Sequence, residues 1–390
     1  MAKGWVQLFG GLATGLILLL HARIYVQDPG FWAEDLKVFW RDQYAHGLAA
    51  SLFSPYSGYL HAVPRLIAWG AWVFPIGLHP LVYFWSAFAL TAWTGSLIAA
   101  SVGSAFAGLA MAAALVAVPD IGEVWLTPTN LQWVLGCALP VVLLMPRSPA
   151  LFVRIQQAVL VVLAGLTGPF AIVAAPLWLA ALWRAWRTPD DSGVPTLSAA
   201  LAALTAAVQG AVLLANAGDG LGDRGGLPQA VAAVMQLLRA QPVGLALLTA
   251  AICCGLLVLA LAPARDRGIR LGFIVFGGIA LISAATKLGV DTASIRPLSA
   301  GDRYFYVPTV MLSFAMITLV SWPSSRIAWV TAPAALVVLA VMVGVAVTTP
   351  LTARLPAAST GVWREMSAEI GKRTVSITIP PQWTIEIPPK

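Results

Sequence analysis

Glu34 and Asp35 stand side by side in a stretch crowded with aromatic residues, Phe31-Trp32-Ala33-Glu34-Asp35-Leu36-Lys37-Val38-Phe39-Trp40-Arg41-Asp42. Carboxylates held close together beside apolar rings raise each other's pKa, which suits a base that must take a proton from a hydroxyl. Asp28-Pro29-Gly30 marks a turn, and from about Phe31 the spacing of Trp32, Leu36, Phe39 and Trp40 predicts a helix with one apolar side. On such a helix Asp35 and Asp42, seven positions apart, share a face, while Glu34 is turned by about 100°. A second reading fits the same residues: an acidic helix start in water, stabilised by the dipole alone.

A matching cation lies far along the chain. Arg303 sits in Gly301-Asp302-Arg303-Tyr304-Phe305-Tyr306-Val307-Pro308, at the mouth of an apolar run. Its fixed fork of donors matches phosphate oxygens and stays charged at any working pH. A guanidinium snorkelling from a membrane helix would look the same. Lys287, Arg296 and Arg65 are further candidates for one anion site. Glu123 and Asn130, in Pro119-Asp120-Ile121-Gly122-Glu123-Val124-Trp125-Leu126-Thr127-Pro128-Thr129-Asn130, could hold an acceptor or a divalent metal. His61, Tyr59 and Tyr304 are candidates for binding donor or acceptor. The four histidines share no ligand spacing, and Cys137, Cys253 and Cys254 lie in apolar runs and read as core residues. No P-loop, dinucleotide fingerprint or HExxH motif occurs. Leu166-Thr167-Gly168-Pro169-Phe170 reads as a tight turn whose backbone could also reach a ligand.

The elements that must position these groups are mostly apolar. Of 390 residues 59% are hydrophobic and 10% charged, with a mean hydropathy of +0.84. A water-soluble domain needs roughly 25% charged residues, so an ordinary soluble enzyme is excluded. The net charge of +7 is scattered without basic runs, which argues against nucleic acid. Apolar runs at 5–20, 80–100, 104–118, 131–146, 153–167, 170–186, 197–216, 242–262, 271–287, 305–321 and 328–348 predict an all-α, multi-pass membrane protein of about eleven spans. The first is expected to be retained, because His21-Ala22-Arg23 is a poor cleavage site.

Residues 62–76 decide the topology. About 15 helical residues cover only about 22 Å of a core about 30 Å thick, and Trp69, Trp72 and Phe74 suit an interface. Read as interfacial, the segment leaves Lys3, Arg147, Arg154, Arg184, Arg187, Arg265, Arg267, Arg270 and Arg326 inside, at more than about twice the density of basic residues outside. The N-terminus is then cytoplasmic, the loop 24–79 lies outside, and so does a small tail, 349–390, that follows the membrane domain 1–348. Of the 16 acidic residues, only Asp190, Asp191 and Asp266 fall inside. In the tail, Thr374–Ile379 alternates like a strand, and the tail as a whole reads as a cap without a core of its own.

An acidic residue in the first outer loop, an interfacial helix after an aromatic, Gly and Pro segment, and about eleven spans together resemble the GT-C superfamily of integral membrane glycosyltransferases. Trp32-Ala33-Glu34-Asp35 and Pro55-Tyr56-Ser57-Gly58-Tyr59-Leu60-His61-Ala62-Val63-Pro64-Arg65 are similar to segments of bacterial members of that group. The resemblance implies a plasma (inner) membrane enzyme that moves a sugar from a polyprenyl-phosphate carrier to a glycan, lipid or protein acceptor on the extracytoplasmic side, with inversion. It further implies Asp35 as the base, with Glu34 as the alternate; the donor phosphate then falls to Arg303 by its own chemistry. Two features depart from the pattern: Glu34-Asp35 stands where many members have two aspartates, and a His-Pro-Pro motif is absent. The alternative from another class is a transporter or flippase of a lipid-linked or anionic solute, against which the chain shows no repeated halves and almost no mid-span charge.

Overall fold

Apolar runs that leave water have one economical way to satisfy their backbone, the helix. The computed structural model describes residues 2–118, 121–188, 193–216, 264–288, 303–321, 360–380 and 383–389, with isolated positions between 252 and 348. Three helices, α1 (Ala2–His21), α5 (His79–Ser101) and α6 (Ala105–Val116), pack against one another. Small residues let them approach: Gly10 lies against Ala99, and a Cβ on Gly95 would overlap the Thr14 side chain. Thr14 Oγ1 reaches both Gly10 O (2.8 Å) and Ala112 O (3.1 Å), which ties α1 to α6.

Around this group lie α7 (Leu131–Leu144), α8 (Leu151–Gly165), α9 (Phe170–Val173), α10 (Ala175–Arg187) and α11 (Thr196–Ala215). A further pair, α12 (Ala264–Leu288) and α13 (Arg303–Ser321), pack on each other and on α7. The chain is thus a helical protein with apolar helices of membrane-crossing length. Among the described residues four segments are long and apolar enough to cross, Gly4–His21, Ile76–Ser101, Thr196–Ala215 and Arg267–Ala284. Eleven is not what these residues show. Ala105–Val116, Pro128–Leu144 and Leu151–Gly165 are apolar but shorter; the 12 residues of α6 reach only about 18 Å. The expected span 170–186 is broken into α9 and α10, because Pro176 brings no N–H and its ring clashes with the carbonyl one turn back. The expected spans 242–262 and 328–348 lie outside the described residues apart from isolated positions.

The first loop holds α2 (Arg23–Gln27), a π-helical stretch at Asp35–Trp40, α3 (Arg41–Leu52) and α4 (Ala62–Ala71). α4 begins at Ala62 with Pro64 in its first turn, as expected, but ends at Ala71 rather than Ile76. The amides of Trp72, Val73 and Phe74 turn back onto carbonyls three residues earlier, and Pro75 ends the run. Its ten residues reach about 15 Å, too little to cross, and Trp69 and Phe74 are exposed.

The tail adds α14 (Thr360–Ser367) and a two-stranded antiparallel sheet of β1 (Val375–Ile379) and β2 (Trp383–Ile387). The strand expected at Thr374–Ile379 is present one residue shorter. Its inward residues Val375, Ile377 and Ile379, with Ile385 and Ile387, are buried in the same apolar cluster as the helices. The hairpin borrows the body's core.

Candidate functional site

A cavity of about 220 Å³ lies between the first loop, the second loop, the 166–170 turn, α12 and α13. Each wall has a local cause. The first is the turn Tyr56-Ser57-Gly58-Tyr59, closed by Tyr56 N–H to Tyr59 O (3.0 Å) and Tyr59 N–H to Tyr56 O (3.3 Å). Ser57 at φ 54° and Gly58 at φ 88° give it the left-handed twist of a two-residue hairpin. It aims both tyrosines into the cavity.

The second wall is the loop 121–130, where every residue is buried. Loops normally run over the surface because their backbone groups need water. Here protein groups replace it: Trp125 Nε1 donates to Ile121 O (2.6 Å) and Asn130 Nδ2 to Glu123 O (2.6 Å). Trp125 packs edge-on against Tyr306, whose hydroxyl donates to Leu115 O (2.7 Å).

The third wall is the 166–170 turn. Gly168 has φ +92°, and a Cβ there would strike the Gln132 side chain. Gln209 of α11, fully buried, binds both edges of the cavity. It accepts from Leu60 N–H (2.9 Å) and donates to Leu60 O and Gly168 O (3.1 Å each).

Of the residues expected from sequence, Glu34, Tyr59, His61, Asn130, Arg303 and Tyr304 line this one cavity. Glu123 is joined to it through an ion pair with Arg303 at 3.3 Å. Glu34 Oε1 accepts from the Tyr56 hydroxyl at 3.4 Å. Its Oε2 is buried with no hydrogen-bond partner among the described residues. Burial first, then the Glu34 charge, pushes the Tyr56 hydroxyl up to about 12, so it remains a donor. Burial works against the Arg303 charge, but Glu123 and then Tyr304 and Glu34 outweigh it and hold the guanidinium above its usual value.

Three expectations need correction. Asp35 does not face the cavity: it is 2% exposed, and its Oδ1 accepts from Thr129 N–H (2.9 Å) and Thr129 Oγ1 (2.6 Å). Nor do Asp35 and Asp42 work as a pair. The π-helical stretch between them adds residues to the turn and shifts the register, and Asp42 Oδ2 instead accepts from Arg65 Nη1 at 3.1 Å. Arg65, expected at the anion site, does not line this cavity. It is 1% exposed, lies over the Phe39 ring, and burial lowers its pKa despite Asp42. The Lys287 side chain and all of Arg296 lie outside the described residues.

Thr129, Gln132, Trp133, Ser283 and Gln209 were not singled out from sequence. Gln209 left a signal, a lone amide in an otherwise apolar run, which must find partners inside the protein. Trp133 stands edge-on to both Tyr304 and Phe170 and forms an aromatic wall. Among the described residues no group of three His, Cys, Asp or Glu could hold a metal ion. No protein-family model matches this chain, and no curated protein matches it.

Proposed function

We propose that this cavity is the active site of a membrane-embedded glycosyltransferase, which takes a sugar from a polyprenyl-phosphate carrier and passes it to a hydroxyl of a glycan, lipid or protein. The observation that carries this reading is that Glu34 and Arg303, remote in sequence, line the same small hollow beside apolar helices. Glu34 takes the role of base ahead of Asp35, because Glu34 lines the cavity and Asp35 accepts from Thr129 instead. The acceptor oxygen loses its proton to Glu34 and attacks the anomeric carbon. The bond from that carbon to the phosphate oxygen breaks on the opposite face, its electron pair leaving with the phosphate, and the anomer is inverted. Arg303 opposes the charge that grows there.

In this reading the hollow, about 220 Å³, takes the sugar ring. The tail of the carrier stays in the bilayer. In this reading the helices belong to a GT-C-like body of about eleven spans in the plasma membrane, with the cavity extracytoplasmic, serving cell-envelope glycan synthesis.

The test is transfer of radiolabel from a polyprenyl-phosphate sugar to acceptor by purified protein in detergent, where a transporter has no compartments to work between. Glu34→Gln should lower the rate by about 10²–10⁴-fold, and Arg303→Lys should lower it too. A Glu34→Gln protein that transfers at the parental rate overturns the assignment, and a parental protein that transfers from no such donor overturns the function.

A further inference from the structure

The tail residues 360–380 and 383–389 fold back along the segment that carries Glu34. At its start, the Thr360 amide donates to Asp28 Oδ1 (2.8 Å) and the Thr360 hydroxyl donates to Pro29 O. One turn later Trp363, buried, meets Phe31 and Trp40 edge-on and donates from Nε1 to Ile76 O (2.8 Å). Past β1, Pro380 O accepts from the Ala33 amide at 2.9 Å. On β2 the Trp383 ring lies 4.2 Å from Lys37 Nζ, and beyond it Pro388 O accepts from the Tyr44 hydroxyl at 3.3 Å. Contacts are thus spaced from Asp28 to Tyr44, over a segment that contains a π-helical stretch and, at Ala33, a non-glycine φ of +30°.

Both features are costly for a free chain. A residue at such a φ is strained and persists only where its surroundings over-determine it. The surroundings here come from the tail: the Ala33 amide, immediately before Glu34, is held by Pro380 O and not by a helical partner of its own segment.

We infer that the C-terminal tail is a splint for residues 28–44, which keeps Ala33 in its strained conformation and so sets the direction of the Glu34 carboxylate. Trp383 and Tyr44 are then positioning residues, not catalytic ones. The catalytic half of this inference rests on the glycosyltransferase reading; the mechanical half does not.

The test uses the full-length protein with Trp383→Ala and Tyr44→Phe combined, and Trp383→Phe alone as the conservative control. Hydrogen exchange in the peptide covering residues 31–40 should quicken by about tenfold in the double variant and stay parental in Trp383→Phe. In the transfer assay kcat should fall by about tenfold or more with KM for the lipid donor unchanged, since a misplacement of about 1 Å can cost up to about 10²-fold. Unchanged exchange at 31–40 in a folded double variant overturns the splint whatever the activity. Faster exchange with parental kcat overturns its catalytic role alone. Faster exchange together with a fully active Glu34→Gln supports the splint and overturns the base assignment, so the two failures are told apart.

Discussion

Two adjacent carboxylates of nearly equal chemistry have opposite fates here, and position alone separates them. Asp35 is turned inward to a backbone amide and a hydroxyl, where an ionised acceptor is worth more than a neutral one. Glu34, a step further round the helix, reaches the cavity. Asp35→Ala should therefore act on stability, costing about 1–3 kcal/mol by leaving the buried Thr129 amide without an acceptor, which a thermal unfolding series will read as a lower Tm. Glu34→Gln should leave Tm close to parental while transfer collapses. Tyr56 supplies a pH signature. Its folded pKa of about 12 exceeds the ordinary value of 10.0, so the stabilisation it brings is complete below about pH 10 and is lost as pH rises toward 12. The Tm advantage of the protein over Tyr56→Phe should hold level to pH 10 and shrink above it.

At the scale of elements, the cavity is an arrangement of turns held by apolar helices. Gln209 is the clearest case, because a single buried amide makes three bonds to two separate turns. Gln209→Leu leaves the Leu60 amide and the carbonyls of Leu60 and Gly168 without it, and should lower both Tm and transfer. Gly168→Ala should do the same: its φ of +92° disfavours any side chain, and the new methyl would displace Gln132 from the cavity. Gly70→Ala in α4 is the control. Nothing lies within 4 Å of a Cβ at that position, so the change should be neutral or stabilising by about 0.5–1 kcal/mol, as measured by thermal unfolding.

For the whole molecule, the tail and the first loop form one packed unit, so they must lie on the same side of any membrane. Cysteines placed at exposed Ala50 and Ser376 should react with a membrane-impermeant maleimide from the same side of intact cells. A cysteine at exposed Arg187, which the charge distribution assigns to the other side, should react only after permeabilisation. Labelling of Ala50 and Ser376 from opposite sides would contradict the contacts that join β1, β2 and the 28–44 segment. Labelling of all three from outside would overturn the charge-based topology and leave the cavity intact.

Composition and run length were enough to read helices, apolar surroundings, the non-crossing segment that starts at Ala62 and the strand near residue 375, because each depends on neighbours in the chain and on a hydropathy that no packing can reverse. Residue types were also enough to mark Glu34, His61, Asn130, Arg303 and Tyr304 as chemistry in need of a place. Which acidic residue lines the hollow, that Arg65 pairs with Asp42, that Gln209 bridges two turns and that the tail packs on residues 28–44 depended on contacts between positions tens to hundreds of residues apart. A π-helical turn of a few residues rotates a side chain from solvent to core without altering the apolar pattern that sequence reading relies on, and only tertiary packing decides whether that turn forms.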